Sequence, residues 1–313
     1  MERKPLQGQV AVVAGGTRGA GRGIAVSLAE AGATVYVTGR STRVRPAAAV
    51  SRPAAGAVSG ADAPLRRPET IEETAEMATA RGGEGIAVRV DHTVEAEVRG
   101  LFERVRREQD GRLDVLINDI WGGDPLTEWG VPFWDLSVER GLQMQRQAVH
   151  SHIITSRWGV PLMVARGRGL VVEVTDGADY GYRGNLFYSL AKVSAIHLAE
   201  AMAADLRGRR SGVTALALTP GFLRSEAMLD HFGVTEANWR EGGRRDPHFL
   251  ASETPFYIGR AVAALAADPR VADKAGRALT TGDLAEEYGF TDADGTRPHW
   301  GRYFAEHVAG KGS

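Results

Sequence analysis

The chain has 313 residues, 43% of them hydrophobic and 25% charged, with a formal net charge of −1. That balance leaves no electrostatic footprint for nucleic acid or an anionic membrane, and the length suffices for one large or two small cores. There is no cysteine, hence no disulfide framework and no thiolate metal site, and no apolar run approaches the roughly 18 residues of a membrane span. The charged start Met1-Glu2-Arg3-Lys4 does not read as a signal peptide, so a cytoplasmic protein with no bound metal is expected.

Strand-like and helical patterns alternate along the chain. Val10 to Ala14 is an apolar run before a glycine-rich turn, and Gly21 to Ala31 reads as a helix with Ile24, Leu28 and Ala31 on one face. Thr34 to Thr38 is a second strand. Glu69 to Ala80 is helical, Ile86 to Val90 strand, and Glu95 to Glu108 helical with Val98, Leu101, Phe102 and Val105 inward. Val115 to Ile117 is strand, Ser137 to Val164 helical, Leu170 to Val174 strand and Phe187 to Leu206 helix. Val213 to Leu218, Phe256 to Ala267 and Arg277 to Thr281 complete the series as strand, helix and strand. Continuous apolar strands alternating with helices predict an α/β fold: a single Rossmann-like, doubly wound parallel sheet of about seven strands, with helices on both faces. Residues 1–313 read as one domain.

Three segments break the rhythm. The insertion 41–68 is rich in Ala, Pro, Gly and Arg where connections are normally short; it is either mobile or a cover over the adjacent site. Residues 225–254 read as a helical flap after a strand end, where binding loops gather. The tail 288–313 is mixed in character and is expected to pack on a neighbouring subunit.

Two motifs carry chemistry. Gly15-x-x-x-Gly19-x-Gly21 follows the first strand and opens the first helix, where glycines admit a close-lying pyrophosphate and helix N–H groups face it. Tyr188 and Lys192 are four apart, on one helix face, in a chain with only four lysines. There an ammonium can lower a phenol's pKa and make it a proton donor to a carbonyl oxygen.

With these residues in this order, and with Asn118 after the fourth strand and Pro220-Gly221 after the sixth, the chain resembles the short-chain dehydrogenase/reductase (SDR) family over nearly its whole length. The resemblance implies hydride transfer with NAD(H) or NADP(H), a small-molecule carbonyl or alcohol substrate, and a homodimer or homotetramer with no nucleic-acid or membrane partner. It implies that Gly15, Thr17, Arg18, Gly19 and Gly21 hold the dinucleotide, that Asp91 contacts adenine, and that Asn118 buttresses strand and cofactor. Pro220, Gly221, Phe222 and Ser225 would face the nicotinamide, and Tyr188 and Lys192 would be catalytic and also touch the cofactor.

The chain also departs from the family pattern. The family serine, thirteen residues before the tyrosine, corresponds to Thr175, which keeps a hydroxyl and is expected to orient the carbonyl. Asp176 and Asp179 are unusual additions that either bind a polar substrate or cap the loop. The helix asparagine that anchors a relay water would fall near Ala148, which cannot replace it; Gln147 and His150 are the neighbouring substitutes. Trp121, Asp176, Tyr182 and Phe187 are expected to line the substrate pocket. The stretch Thr38-Gly39-Arg40-Ser41-Thr42-Arg43 contains no acid, and Arg40 with Arg18 can meet a 2′-phosphate, so NADP(H) is expected over NAD(H). A catalytically weak dinucleotide-binding sensor or scaffold is the alternative.

Overall fold

A computed structural model describes residues 3–44 and 67–308. Most of the insertion 41–68 thus lies outside the described residues. The order of elements is β1 (Val10–Ala14), α1 (Gly19–Glu30), β2 (Thr34–Gly39), α2 (Ile71–Ala80), β3 (Glu84–Arg89), α3 (Glu95–Glu108) and β4 (Val115–Asn118). There follow α4 (Val138–Gln145), α5 (Ser151–Arg166), β5 (Gly169–Val174), α6 (Leu186–Gly208), β6 (Val213–Thr219) and α7 (Glu226–Phe232). The last are α8 (Pro255–Ala267), β7 (Ala278–Thr280), α9 (Thr281–Tyr288) and α10 (Trp300–His307).

The seven strands form one parallel sheet in the order β3-β2-β1-β4-β5-β6-β7. Successive side chains of a strand alternate between faces, so β1 feeds two cores. Ala11 and Val13 pack with Ile24 and Leu28 of α1 and with Ile258 and Val262 of α8. Val10 and Val12 pack with Leu101 and Phe102 of α3, Leu162 of α5 and Leu206 of α6. Burial on both faces is why the strands read as unbroken apolar runs.

The order reverses between β1 and β4, which opens a crevice at the carboxyl ends of the strands. The glycine turn, Arg40, Asp91, Thr175 and Pro220 follow strand ends on this edge, and Asn118 is the last residue of β4. Residues 225–254 hold α7 and two short 3-10 turns, Trp239–Arg244 and Pro247–Ala251, around a small core of Phe232, Trp239 and Phe249. The tail packs on its own chain: the Trp300 ring lies 5.4 Å from that of Phe222.

Candidate active site

Tyr188 enters the site through the start of α6. Asn185 caps that helix, its side chain accepting the Tyr188 N–H at 3.0 Å, and its own amide donates to the Glu128 carbonyl at 3.0 Å. A cap of this kind contributes about 1 kcal/mol and fixes the first turn, hence the position of the phenol. The ring is held between Trp121, in an edge contact at 5.4 Å, and Trp129 at 5.2 Å. Its hydroxyl donates to Asp176 Oδ2 at 2.7 Å.

Three expectations change here. Burial first, then the Asp176 charge and its hydrogen bond, push the Tyr188 phenol well above its ordinary value, the reverse of the lowering expected from Lys192. The Lys192 ammonium sits over the Trp121 ring, 4.0 Å from its centroid, and is 5.5 Å from the centroid of the Tyr188 ring. Burial lowers its pKa, with Asp176, Asp119 and Asp124 acting against that. Thr175 is buried and its hydroxyl donates to the Lys192 carbonyl at 2.7 Å, so it ties β5 to α6 and that proton is not free to orient a substrate carbonyl, the role expected of it.

The pocket residues divide. Trp121 walls the phenol and donates from Nε1 to Asp124 at 2.6 Å. Phe187 packs on Gly141 of α4, and Tyr182 is exposed. Between α4 and α5 the helix widens into a π turn, Arg146–His150, in which Ala148 is buried and His150 exposed. Gln147 faces the residue after β2, its Oε1 3.4 Å from Arg40 Nη2.

The glycine turn fits a dinucleotide. At Gly15 φ is +94° and an added Cβ would collide with the Asp119 carbonyl, so the turn admits no side chain there. At Gly19 φ is +54°, a conformation that favours glycine, and a Cβ would meet nothing closer than Ser225 Cβ at 3.8 Å. Gly21 lies in the first turn of α1 under the Gly15 carbonyl, beside the Asp119 carboxylate. Burial pushes that carboxyl up to about 7. Thr17 is buried. The cleft already holds one carboxylate: Glu226, on α7, accepts the Gly19 N–H at 2.8 Å and lies 3.5 Å from Arg22.

At the β2 end the sequence stretch has no acid, but the fold supplies two. Arg18 Nε is 3.5 Å from Glu69, and Arg40 Nη1 is 3.9 Å from Asp91. Arg18 also donates to Ser41 Oγ at 3.3 Å. Asp91 Oδ1 accepts from the Thr93 N–H at 2.9 Å and from its hydroxyl at 2.7 Å, a local turn. On the opposite side of the cleft, Pro220 and Gly221 follow β6. The Phe222 ring joins Phe249 and Trp300, and Ser225 Oγ caps α7.

A buried polar layer behind the site is not legible in the sequence. Asn118 Nδ2 donates to Glu173 Oε1 at 2.6 Å and to Ser156 Oγ at 2.9 Å. His152 bridges Glu173 Oε2, at 2.6 Å, and the Ile120 carbonyl, at 3.0 Å, and so pins the loop after β4. His92 lies between Thr38 and Thr155, and burial lowers its pKa to about 3.

Comparisons with known proteins agree with this architecture. A family model described as short chain dehydrogenase matches residues 57–232. The chain is 35% identical over 295 residues to Dehydrogenase/reductase SDR family member 1 of Mus musculus, covering 93% of this chain and 85% of that protein. The Homo sapiens protein of the same name is 34% identical over 300 residues, with the same coverage. The crystal structure of a short chain dehydrogenase from Mycobacterium thermoresistibile superposes with a TM-score of 0.71 at 20% identity, covering 95% of this chain and 92% of that one.

Proposed function

This chain belongs to the short-chain dehydrogenase family, and from that premise we propose that it interconverts a carbonyl and an alcohol on a small-molecule substrate with NADP(H). The observation that carries the reading is the grouping of Tyr188, Lys192 and Trp121 at the carboxyl edge of the sheet, on the same edge as the glycine-lined N-terminus of α1. When bound, the nicotinamide supplies or takes the hydride.

The chain's own residues do the rest. The Gly15–Gly21 turn and Thr17 hold the pyrophosphate. Arg18 and Arg40 meet the 2′-phosphate; Arg40 supports this best, since its side chain is 54% exposed and its nearest acid among the described residues, Asp91, is 3.9 Å away. Asp91 lies on the adenine side, Asn118 supports the loop after β4, and the Pro220–Ser225 segment covers the nicotinamide side. Lys192 holds the ribose hydroxyls, and Tyr188 moves a proton at the substrate oxygen. Trp121 and Trp129 give the pocket an aromatic wall that favours a flat or apolar group beside the carbonyl. Ile153 and Val164 of α5 and Leu190 of α6 are exposed, which supports association into a homodimer or homotetramer through these helices. Nothing in this role requires a membrane, and a cytoplasmic site suits it.

A second reading is a dinucleotide-binding sensor or scaffold of weak activity. Ala148 in the π turn and the raised phenol favour it. Purified protein separates the two when NADPH consumption is followed at 340 nm against aldehydes, ketones and quinones. Turnover with at least one carbonyl class supports the oxidoreductase. Tight NADPH binding with no consumption supports the sensor.

A further inference from the structure

Asp176 is not a spectator of the phenol. Among the described residues it is the one hydrogen-bond partner of the Tyr188 hydroxyl, at 2.7 Å. Its place is built. Arg183 closes the loop after β5 by donating Nε to the Asp176 carbonyl, Nη1 to that of Gly181 and Nη2 to that of Asp179, each at 2.5 Å. The Gly177 N–H donates to Thr219 Oγ1 at 2.9 Å, which ties the same loop to the end of β6. The Arg183 N–H donates to Ser189 Oγ at 2.8 Å, which ties it to α6. Two other positions from which a proton carrier was expected do not supply one. The Thr175 hydroxyl is spent on the Lys192 carbonyl, and Ala148 has no polar group.

From this geometry, and resting on the carbonyl–alcohol reading above, we infer that Tyr188 and Asp176 act as one proton-carrying dyad, with Asp176 as the relay partner behind the phenol. In alcohol oxidation the substrate C–H bond breaks and its electron pair leaves as hydride to the oxidised nicotinamide. The substrate O–H proton passes to the Tyr188 oxygen while the Tyr188 proton passes to Asp176 Oδ2. The carbonyl forms, and the dyad ends as a neutral phenol beside a carboxylic acid, which then loses its proton to water. Carbonyl reduction runs the same transfers backwards, starting from the carboxylic acid. Phenolate charge never accumulates beside the carboxylate. This suits a phenol that burial and Asp176 have made a weak acid. The other charged groups facing the dyad are Lys192 on α6, Asp119 and Asp124 after β4, and Arg183 in the loop.

Two measurements test the dyad. In cofactor-free protein carrying 13Cζ-labelled tyrosine, the Tyr188 resonance is assigned by its loss in Tyr188→Phe. In Asp176→Asn the ionisation of that resonance moves to lower pH by about one unit or more; an unmoved ionisation overturns the dyad. With NADP+ and the fastest substrate from a panel of primary and secondary alcohols, Asp176→Asn lowers kcat about 100-fold. It also removes the wild-type acidic limb, while NADP+ affinity stays within about twofold. Asp176→Glu restores part of the rate and the limb. A kcat within about twofold of wild type and an unaltered pH profile in Asp176→Asn overturn the dyad. Tyr188→Phe, assayed alongside, separates the levels. If it turns over near the wild-type rate, the proton role of Tyr188 falls and the dyad with it; if wild type oxidises no alcohol of the panel, the carbonyl–alcohol reading falls; if Tyr188→Phe is inactive while Asp176→Asn is unimpaired, only the dyad falls.

Discussion

The Glu226 carboxylate accepts the Gly19 N–H at 2.8 Å, so a side chain of the flap sits on the donor that a pyrophosphate would use. The same carboxylate lies 3.5 Å from Arg22, which is paired more closely with Glu73 at 2.6 Å. An anionic ligand must displace Glu226 and then bind beside its charge. Glu226→Gln is therefore expected to tighten NADPH binding several-fold, read by the quenching or enhancement of NADPH fluorescence. Weaker binding in the variant would assign the carboxylate to flap stability instead.

The arginines at the end of β2 are predicted to select the phosphorylated dinucleotide. Arg40→Ala is expected to raise KM for NADPH about tenfold with little change for NADH, and the double change with Arg18→Ala is expected to raise it further. Glu69→Gln, which removes the acid 3.5 Å from Arg18, should lower the NADPH KM. Wild-type protein that binds NADH as tightly as NADPH at moderate salt would rule out this role for the two arginines.

Stability should fall as pH rises across the neutral range, because of Glu253. This carboxyl is 1% exposed, and burial pushes it up to about 8 from an ordinary 4.5, although the Thr281 hydroxyl and the Gly221 N–H pull the other way. The folded protein thus keeps a proton that the unfolded chain releases near 4.5. The contribution to stability is full below that pH, declines as pH rises, and is gone above about 8. Asp119, raised to about 7, acts in the same direction. The melting temperature of Glu253→Gln, followed from about pH 5 to 8, should fall by a few degrees less than that of wild type. Parallel curves would show that Glu253 does not hold the extra proton.

The sheet was legible because burial on both faces leaves its mark in sequence: Val10 to Ala14 and Leu170 to Val174 are apolar at every position but Glu173. Glu173 belongs to the buried layer around Asn118 and His152, which stayed illegible because one acid in a strand does not say what it pairs with. Helix spacing correctly set Tyr188 and Lys192 on one face. It could not show that the ammonium turns to Trp121, because that contact comes from a loop far away in sequence. Counting thirteen residues back from Tyr188 led to Thr175, whereas the fold brings Asp176 to the phenol. The path of the loop between them depends on Arg183 and its three carbonyl contacts, which leave no periodic signal. Glu69 and Asp91 likewise reach Arg18 and Arg40 only through folding, so the acid-free stretch overstated the free positive charge.

The most direct test of the account is NADPH-dependent turnover by Tyr188→Phe, with binding measured in the same preparation. Loss of the hydroxyl removes the proton carrier and the hydrogen bond to Asp176, while the glycine turn and the arginines remain. In this variant kcat is expected to fall at least about 1,000-fold while NADPH affinity changes by less than about threefold. A variant that binds NADPH normally and still reduces its carbonyl substrate at a rate near that of wild type would contradict that expectation.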